Sequence, residues 1–402
     1  MTPVARPPVI ILGGNANAVS VARSLGRWGV DVTAYGNATD QVRHSRWCAS
    51  FVEFTAGPGI GDRWLARLLA EARDAVLLPC DDDALEMIAR NRVELVAAGY
   101  RPFEADDEVV LAMLDKETTY RLARSAGIAT PTTFRLVDDV AVEQAIARLT
   151  FPCALKPIHS HRFQKRFGGR KAFVVEDALD FRRRARQARA HGLEVIATEI
   201  IPGPDDRLCS FYSYIDEDGR PLVQLTKRKI RQQPTGFGLG SMEITDDAPD
   251  VAEAGAAFFA AIGLRGLANV EFKRDPRDGS LRLIECNHRF TASNELVRVA
   301  GIDLARLAYA RVAGLPPPRL DRYRSGVTLW NPMRDIRSLA GSVRRGEASV
   351  GEWLPGLVRP HVLPVFRLDD PLPTIAHHAG LVRRLPGKMG LARTAGRVSA
   401  HP

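Results

Sequence analysis

The sequence predicts a mixed α/β and α+β protein of two or three domains, with a parallel sheet first and antiparallel strands after it. Three observations carry this. Residues 8–36 read strand, glycine turn, helix, strand (PVIILGG, Asn17–Trp28, Val30–Tyr35), the opening unit of a doubly wound sheet. From Phe151 onward, short apolar strands alternate with hairpin loops such as Asp216-Glu217-Asp218-Gly219. A chain of 402 residues is also longer than one core normally serves.

In the opening unit, a dinucleotide site would need GxGxxG in the turn and an acidic residue ending the second strand. The turn is Gly13-Gly14-Asn15-Ala16-Asn17-Ala18 and the strand ends Tyr35-Gly36-Asn37, so both requirements fail. Ala75–Pro79 is a further apolar strand, followed by Cys80-Asp81-Asp82-Asp83 and a helix from about Ala84. One of these aspartates reads as an N-cap; the alternative is a hold on an amine substrate at the strand's carboxyl edge. Asp115-Lys116 opens a helix to about Ser125, closed by Gly127 and Pro131.

Phe151–Pro157 is an apolar strand with Lys156 near its end. An unpartnered buried lysine is costly, so Lys156 should face a cavity or an anion. The basic loop Ile158–Arg170, with Gly168-Gly169, reads either as a mobile cover for a phosphate chain or as a solvated hairpin loop. A strand resumes at Lys171–Val175, and Val195–Ile201 runs into Gly203-Pro204-Asp205-Asp206. Alternation over Thr226–Arg231 puts Lys227, Lys229 and Arg231 on one face, which a buried sheet would reject unless a polyanion lay there. Gly236–Gly240 reads as a flexible break, and Asp250–Ile262 as an alanine-rich helix stopped by Gly263.

Ala268–Phe290 reads as two strands around the turn residues Asp275-Pro276-Arg277-Asp278-Gly279. Glu271 and Glu285 are equidistant from Asp278, so a hairpin centred there sets them opposite each other, with Asn287 on the same face as Glu285. Facing carboxylates repel unless a cation lies between them. Two carboxylates and an amide oxygen suit Mg²⁺, which takes few protein ligands and completes its shell with phosphates. The plainer alternative is a solvated, exposed sheet face.

Composition narrows the classes. Hydrophobic content of 45% and charged content of 26% are ordinary for a globular protein. No apolar run approaches ~18 residues, so no spanning helix is expected. Five scattered cysteines without paired spacing predict a reducing, cytoplasmic setting, with neither a disulfide framework nor a zinc site. A net charge of +9 without a nucleic-acid motif argues against a nucleic-acid partner. Only 8 of the 56 basic residues are lysine, and seven of those lie between Lys116 and Lys273. Clustered ammonium groups in an arginine-rich chain point to phosphate contacts.

The ordered set of DK (Asp115-Lys116), a strand ending in KP (Lys156-Pro157), a glycine-containing loop, TEIIPG (198–203), VEF (270–272) and ECNHR (285–289) resembles the ATP-grasp superfamily of carboxylate–amine (or thiol) ligases. In texture it is nearest to ligases of the D-aspartate ligase and carboligase kind. The resemblance covers about residues 8–314. It implies an ATP-grasp fold: a Rossmann-like pre-ATP-grasp domain over 1–112, an ATP-grasp domain over 113–314 with a lid at about 150–202, and a C-terminal extension over 315–402. By the same resemblance, Lys116 and Lys156 contact ATP phosphates, with Lys171 and Lys229 as further phosphate ligands. Glu199, Ile200 and Ile201 hold adenine, and Asp206, with Asp205 as runner-up, takes the ribose. Glu271, Glu285 and Asn287 bind two Mg²⁺ ions, with Mn²⁺ as the alternative, and Arg289 stabilises the acyl phosphate and tetrahedral intermediate. The loop at 158–170 has fewer glycines than relatives carry. His288 stands where relatives often have Pro or Thr, and reads as a hydrogen-bonded structural histidine before a substrate contact.

The expected activity is activation of a carboxylate by ATP and its capture by an amine, both substrates being small molecules. The alternatives are an ATP-grasp kinase and a catalytically silent nucleotide-binding regulator. A homodimer is compatible with this class. In the extension, Pro316-Pro317-Pro318 reads as a linker, and Trp330, Trp353 and Val362–Phe366 as residues that pack onto the body. The basic end Leu381–Pro402 reads as a solvated tail, with contact to an anionic membrane as the alternative.

Overall fold

The protein was analysed as a computed structural model that describes residues 6–158, 167, 172–236, 238–320, 322–344, 346, 349–354 and 360–379. Its first sheet is parallel: β1 (Val9–Leu12), β2 (Val32–Gly36), β3 (Ser50–Glu53), β4 (Ala75–Pro79) and β5 (Tyr100–Pro102), in the order β3-β2-β1-β4-β5. Strands β1, β2 and β4 are buried throughout, as their unbroken apolar runs require when helices cover both sheet faces. Order reverses between β1 and β4, which opens a crevice beyond their carboxyl ends. Gly13 (φ +67°) lies there, and a Cβ on it would fall 1.9 Å from Asp81 Oδ2. Only glycine lets the turn after β1 pass the aspartate triplet.

The second sheet is antiparallel, in the order β6-β9-β7-β8, from β6 (Thr133–Arg135), β7 (Cys153–Pro157), β8 (Phe173–Val175) and β9 (Val195–Glu199). The third has seven strands: β10 (Leu208–Ile215), β11 (Pro221–Gln233), β12 (Leu239–Asp246), β13 (Gly266–Arg274), β14 (Leu281–Asn287), β15 (Thr328–Trp330) and β16 (His361–Val362). Their order is β14-β13-β10-β11-β12-β15-β16. The cationic segment at 226–231 is therefore the middle of a 13-residue strand. The expected break at 236–240 gives way to β12 from Leu239, which pairs with β11 and β15.

Helices Asn294–Ala300 and Leu304–Ala313 return to the first sheet, where Val297, Leu304, Leu307 and Tyr309 join the core of Val9–Leu12. Part of the C-terminal extension is built into the body. Strand β15 extends the third sheet and β16 lies parallel to it. Asp370 reaches back to the elements around the first sheet, pairing with Arg23 at 2.8 Å and accepting from Ser45 Oγ at 2.7 Å and Arg46 N at 3.0 Å. No helix among the described residues is long and apolar enough to cross a membrane. The expected basic tail, 381–402, lies outside the described residues.

Candidate active site

The third sheet presents the hairpin β13–β14 with Glu271 directly across from Glu285 and Asn269 across from Asn287. The facing carboxylates match expectation, but the turn is not centred on Asp278. Phe272 pairs with Leu283, and Ile284 is the extra residue of a bulge that brings Glu285 back opposite Glu271. Tyr120 Oη donates to the Ile284 carbonyl at 2.9 Å, which pins the helix Lys116–Ser125 to the bulge. Asp115 caps that helix through the Thr118 N–H at 2.8 Å, so Lys116 occupies its first position. Lys116, Asp82, Glu285 and Asn287 line one cleft.

From the second sheet, Lys156 on β7 lies within the field of both carboxylates. Burial pulls its pKa below the ordinary lysine value, while Glu285 and Glu271 act the other way. Lys229 Nζ is 2.9 Å from Glu271 Oε2 and 3.3 Å from Gln232 Oε1. Lys227 Nζ lies 3.2 Å from Glu243, which also accepts from Ser293 Oγ. Arg231 is held bidentately by buried Asp335 at 2.8 and 2.7 Å. Each of the three cations on β11 thus has a carboxylate partner, so their burial does not by itself require a polyanion. The strand bulges on both sides of Arg231, which breaks the alternation that grouped it with the lysines.

Arg289, just past β14, meets the aspartate triplet. Its Nε is 2.5 Å from Asp82 Oδ1, and against the effect of burial, Asp82, Glu285 and Asp81 hold its pKa above the ordinary arginine value. Asp81 is the N-cap, accepting from the Ala84 N–H at 2.9 Å. Burial pushes its carboxyl up from 3.8 to about 7; the Ala84 N–H opposes the shift, and the charges of Asp83 and Asp82 add to it. Because the folded value is raised, the folded protein holds the extra proton, and stability falls as pH rises from 3.8 towards about 7. Asp81→Asn keeps the cap and is expected to flatten this fall, seen as a smaller change of melting temperature with pH across that window.

At the end of β9, Glu199 accepts from Thr132 N at 3.2 Å and pairs with Arg277 at 2.6 Å, while Ile201 is buried and Ile200 partly so. Asp205 is engaged by Gln232 N (3.1 Å), Gln232 Nε2 (2.7 Å) and Gly236 N (3.1 Å); Asp206 beside it is exposed and shares none of these bonds. Lys171 and most of the loop Ile158–Arg170 lie outside the described residues. His288 is buried beside Phe103, and burial lowers it to about 4, so the ring stays neutral. The hydrogen-bonded ring expected of it is not found: neither ring nitrogen has a hydrogen-bond partner. Sequence reasoning missed Tyr120, Gln232 and Asp335; Asp82 was visible only as part of the triplet.

Among the described residues, no group of three or more His, Cys, Asp or Glu could hold a metal by itself. Glu271, Glu285 and Asn287 fit a divalent ion of the Mg²⁺ kind, whose remaining ligands would be phosphate oxygens and water.

Fold and donor set define the class: the chain has the ATP-grasp fold. Within that class, it is 27% identical over 317 residues to a D-aspartate ligase from Enterococcus faecium, covering 74% of each chain. Among solved structures it is similar to the biotin carboxylase domain of Hydrogenobacter thermophilus 2-oxoglutarate carboxylase, described with MgADP and bicarbonate. The TM-score is 0.63 at 17% identity, covering 79% of this chain and 73% of that one. It is also similar to N5-carboxyaminoimidazole ribonucleotide synthetase in an ADP complex, with a TM-score of 0.62 at 16% identity over 86% and 87% of the two chains. At those identities the two structures bear on the fold alone. No family profile matches the chain.

Proposed function

We propose that the protein is an ATP-dependent ligase that activates a small-molecule carboxylate as an acyl phosphate and joins it to an amine, releasing ADP and phosphate. The observation that carries this is the convergence of facing Glu271 and Glu285 with Asn287, Lys116, Lys156, Lys229 and Arg289 at one cleft and its margins.

In this reading Lys116, Lys156 and Lys229 orient the ATP phosphates, with Lys171 as a further ligand. Glu199 has its carboxylate taken by Arg277, so its backbone and that of Ile200 and Ile201 serve adenine; Asp206, unlike the engaged Asp205, is the ribose contact. Glu271, Glu285 and Asn287 would hold Mg²⁺, in one or two ions, or Mn²⁺; when bound, the metal shields charge on the transferring phosphoryl group. A carboxylate oxygen of the substrate attacks the γ-phosphorus and ADP leaves. The amine nitrogen then attacks the acyl carbon, the C–O bond to phosphate breaks, phosphate departs with the bonding electrons, and the nitrogen gives up a proton. Arg289, kept charged by Asp82, neutralises the oxyanion that develops at the acyl carbon. No protein nucleophile is required.

Similarity to a D-aspartate ligase makes D-aspartate the first acid to test, and its five free cysteines suit a reducing cytoplasm. Purified protein with MgATP, screened with acids against amines, is expected to release ADP only when both substrates are present. Phosphorylated product without an amine would support a kinase. Nucleotide binding without ADP release across the panel would support a silent regulator.

A further inference from the structure

Near the end of β11, one residue joins its own strand to two segments far from it in sequence. Gln232, 1% exposed, accepts from Lys229 Nζ through Oε1 at 3.3 Å and donates through Nε2 to Asp205 Oδ1 at 2.7 Å. Its N–H donates to Asp205 Oδ2 at 3.1 Å, and its carbonyl accepts from Ser338 Oγ at 2.9 Å. Lys229 in turn stands 2.9 Å from Glu271. The partners therefore form a line from the segment after β9, through one carboxamide, to a carboxylate of the facing pair.

The chemistry of that line selects the residue type. Asp205 needs a donor and the ammonium needs an acceptor, and a carboxamide offers both on one planar group. Because Nε2 is committed to Asp205, the oxygen must turn to Lys229, so the amide's orientation is set by its neighbours. Glutamate would place a carboxylate against Asp205. Leucine would fill similar space while leaving both partners short of a bond. Without the amide oxygen, Lys229 keeps Glu271 alone and is drawn onto it, away from any phosphate.

The strand is also braced from outside. Its register shifts on either side of Arg231, and the bulged residue is clamped by Asp335, which further accepts from Ser241 Oγ at 2.8 Å and Trp330 Nε1 at 3.0 Å. Asp335 and Ser338 lie one turn apart on the helix Pro332–Arg344 of the C-terminal extension. Resting on the ligase reading above, we propose that Gln232 is a positioning residue that couples the segment after β9, through Asp205, to Lys229, and that the helix Pro332–Arg344 buttresses it in register.

The test compares binding of MgATP and of adenosine, together with ADP release, in wild type, Gln232→Leu, Gln232→Glu, Lys229→Met and the double variant Lys229→Met/Gln232→Leu. Loss of Gln232 is expected to weaken MgATP binding by about 10- to 100-fold while adenosine binding is unchanged, the scale seen when a group supporting a site residue is removed. The double variant is expected to be no worse than Lys229→Met alone, because one residue acts through the other. Ser338→Ala should shift the same ratio in the same direction by less. A lowered melting temperature with an unchanged ratio of MgATP to adenosine affinity, or full additivity in the double variant, overturns the coupling. A wild type that binds no MgATP overturns the ligase reading and this inference with it; a wild type that binds, matched by Gln232→Leu, overturns this inference alone.

Discussion

Glu285→Gln is expected to reduce ATP-dependent release of ADP and phosphate by about 100- to 1,000-fold, the range for removing one preorganised charge contact to the transferring group. The substitution keeps side-chain size and the strand register opposite Glu271, so folding should be unaffected. It removes one negative charge from a set that otherwise has Glu271, already compensated by Lys229, and neutral Asn287. Lys156 also loses one of the two carboxylates that act against its desolvation. A coupled assay at saturating MgATP, alongside a melting curve, measures both effects. Undiminished turnover with wild-type stability would remove the metal assignment.

Asp370→Ala is expected to cost about 3–5 kcal/mol in denaturant unfolding, the range for stranding one member of a buried ion pair. Arg23 is fully buried and Asp370 is 1% exposed, so neither charge can turn to water. Arg23 also bonds the Asp370 carbonyl at 2.8 Å, and its Nη1 already has no partner. Besides Arg23 Nε, the carboxylate accepts from Ser45 Oγ and the Arg46 N–H. Urea titration of the variant measures the loss; wild-type stability would mean that residues 367–370 rest on the elements around the first sheet without holding them.

Much of the site was legible because its signals are local. Asp115-Lys116 reads as a helix start because an aspartate side chain reaches an N–H three residues on, and the helix begins where that rule puts it. Glu271 and Glu285 were paired by simple symmetry, and they do face each other. The symmetry succeeded through a bulge at Ile284 that alternation cannot reveal, since an extra residue changes register without changing composition. Strands β3, β6, β15 and β16, at two to four residues each, are too short to show a period.

The sequence by itself determined the order of the longer elements, the caps at Asp115 and in the aspartate triplet, the buried strands β1, β2 and β4 and the placing of chemistry-bearing residues at strand ends. Each depends on contacts within a few positions, where residue type and spacing act directly. Tertiary structure decided which carboxylate each cation meets. Lys229 finds Glu271 across 42 positions, Arg231 finds Asp335 across 104, and Arg289 finds Asp82 across 207. Such pairs are set by strand order and register, and the desolvation of a buried charge rewards whichever partner the packing brings within about 3 Å. A run of cations that locally calls for a polyanion can therefore find counter-charges on three different elements of the fold.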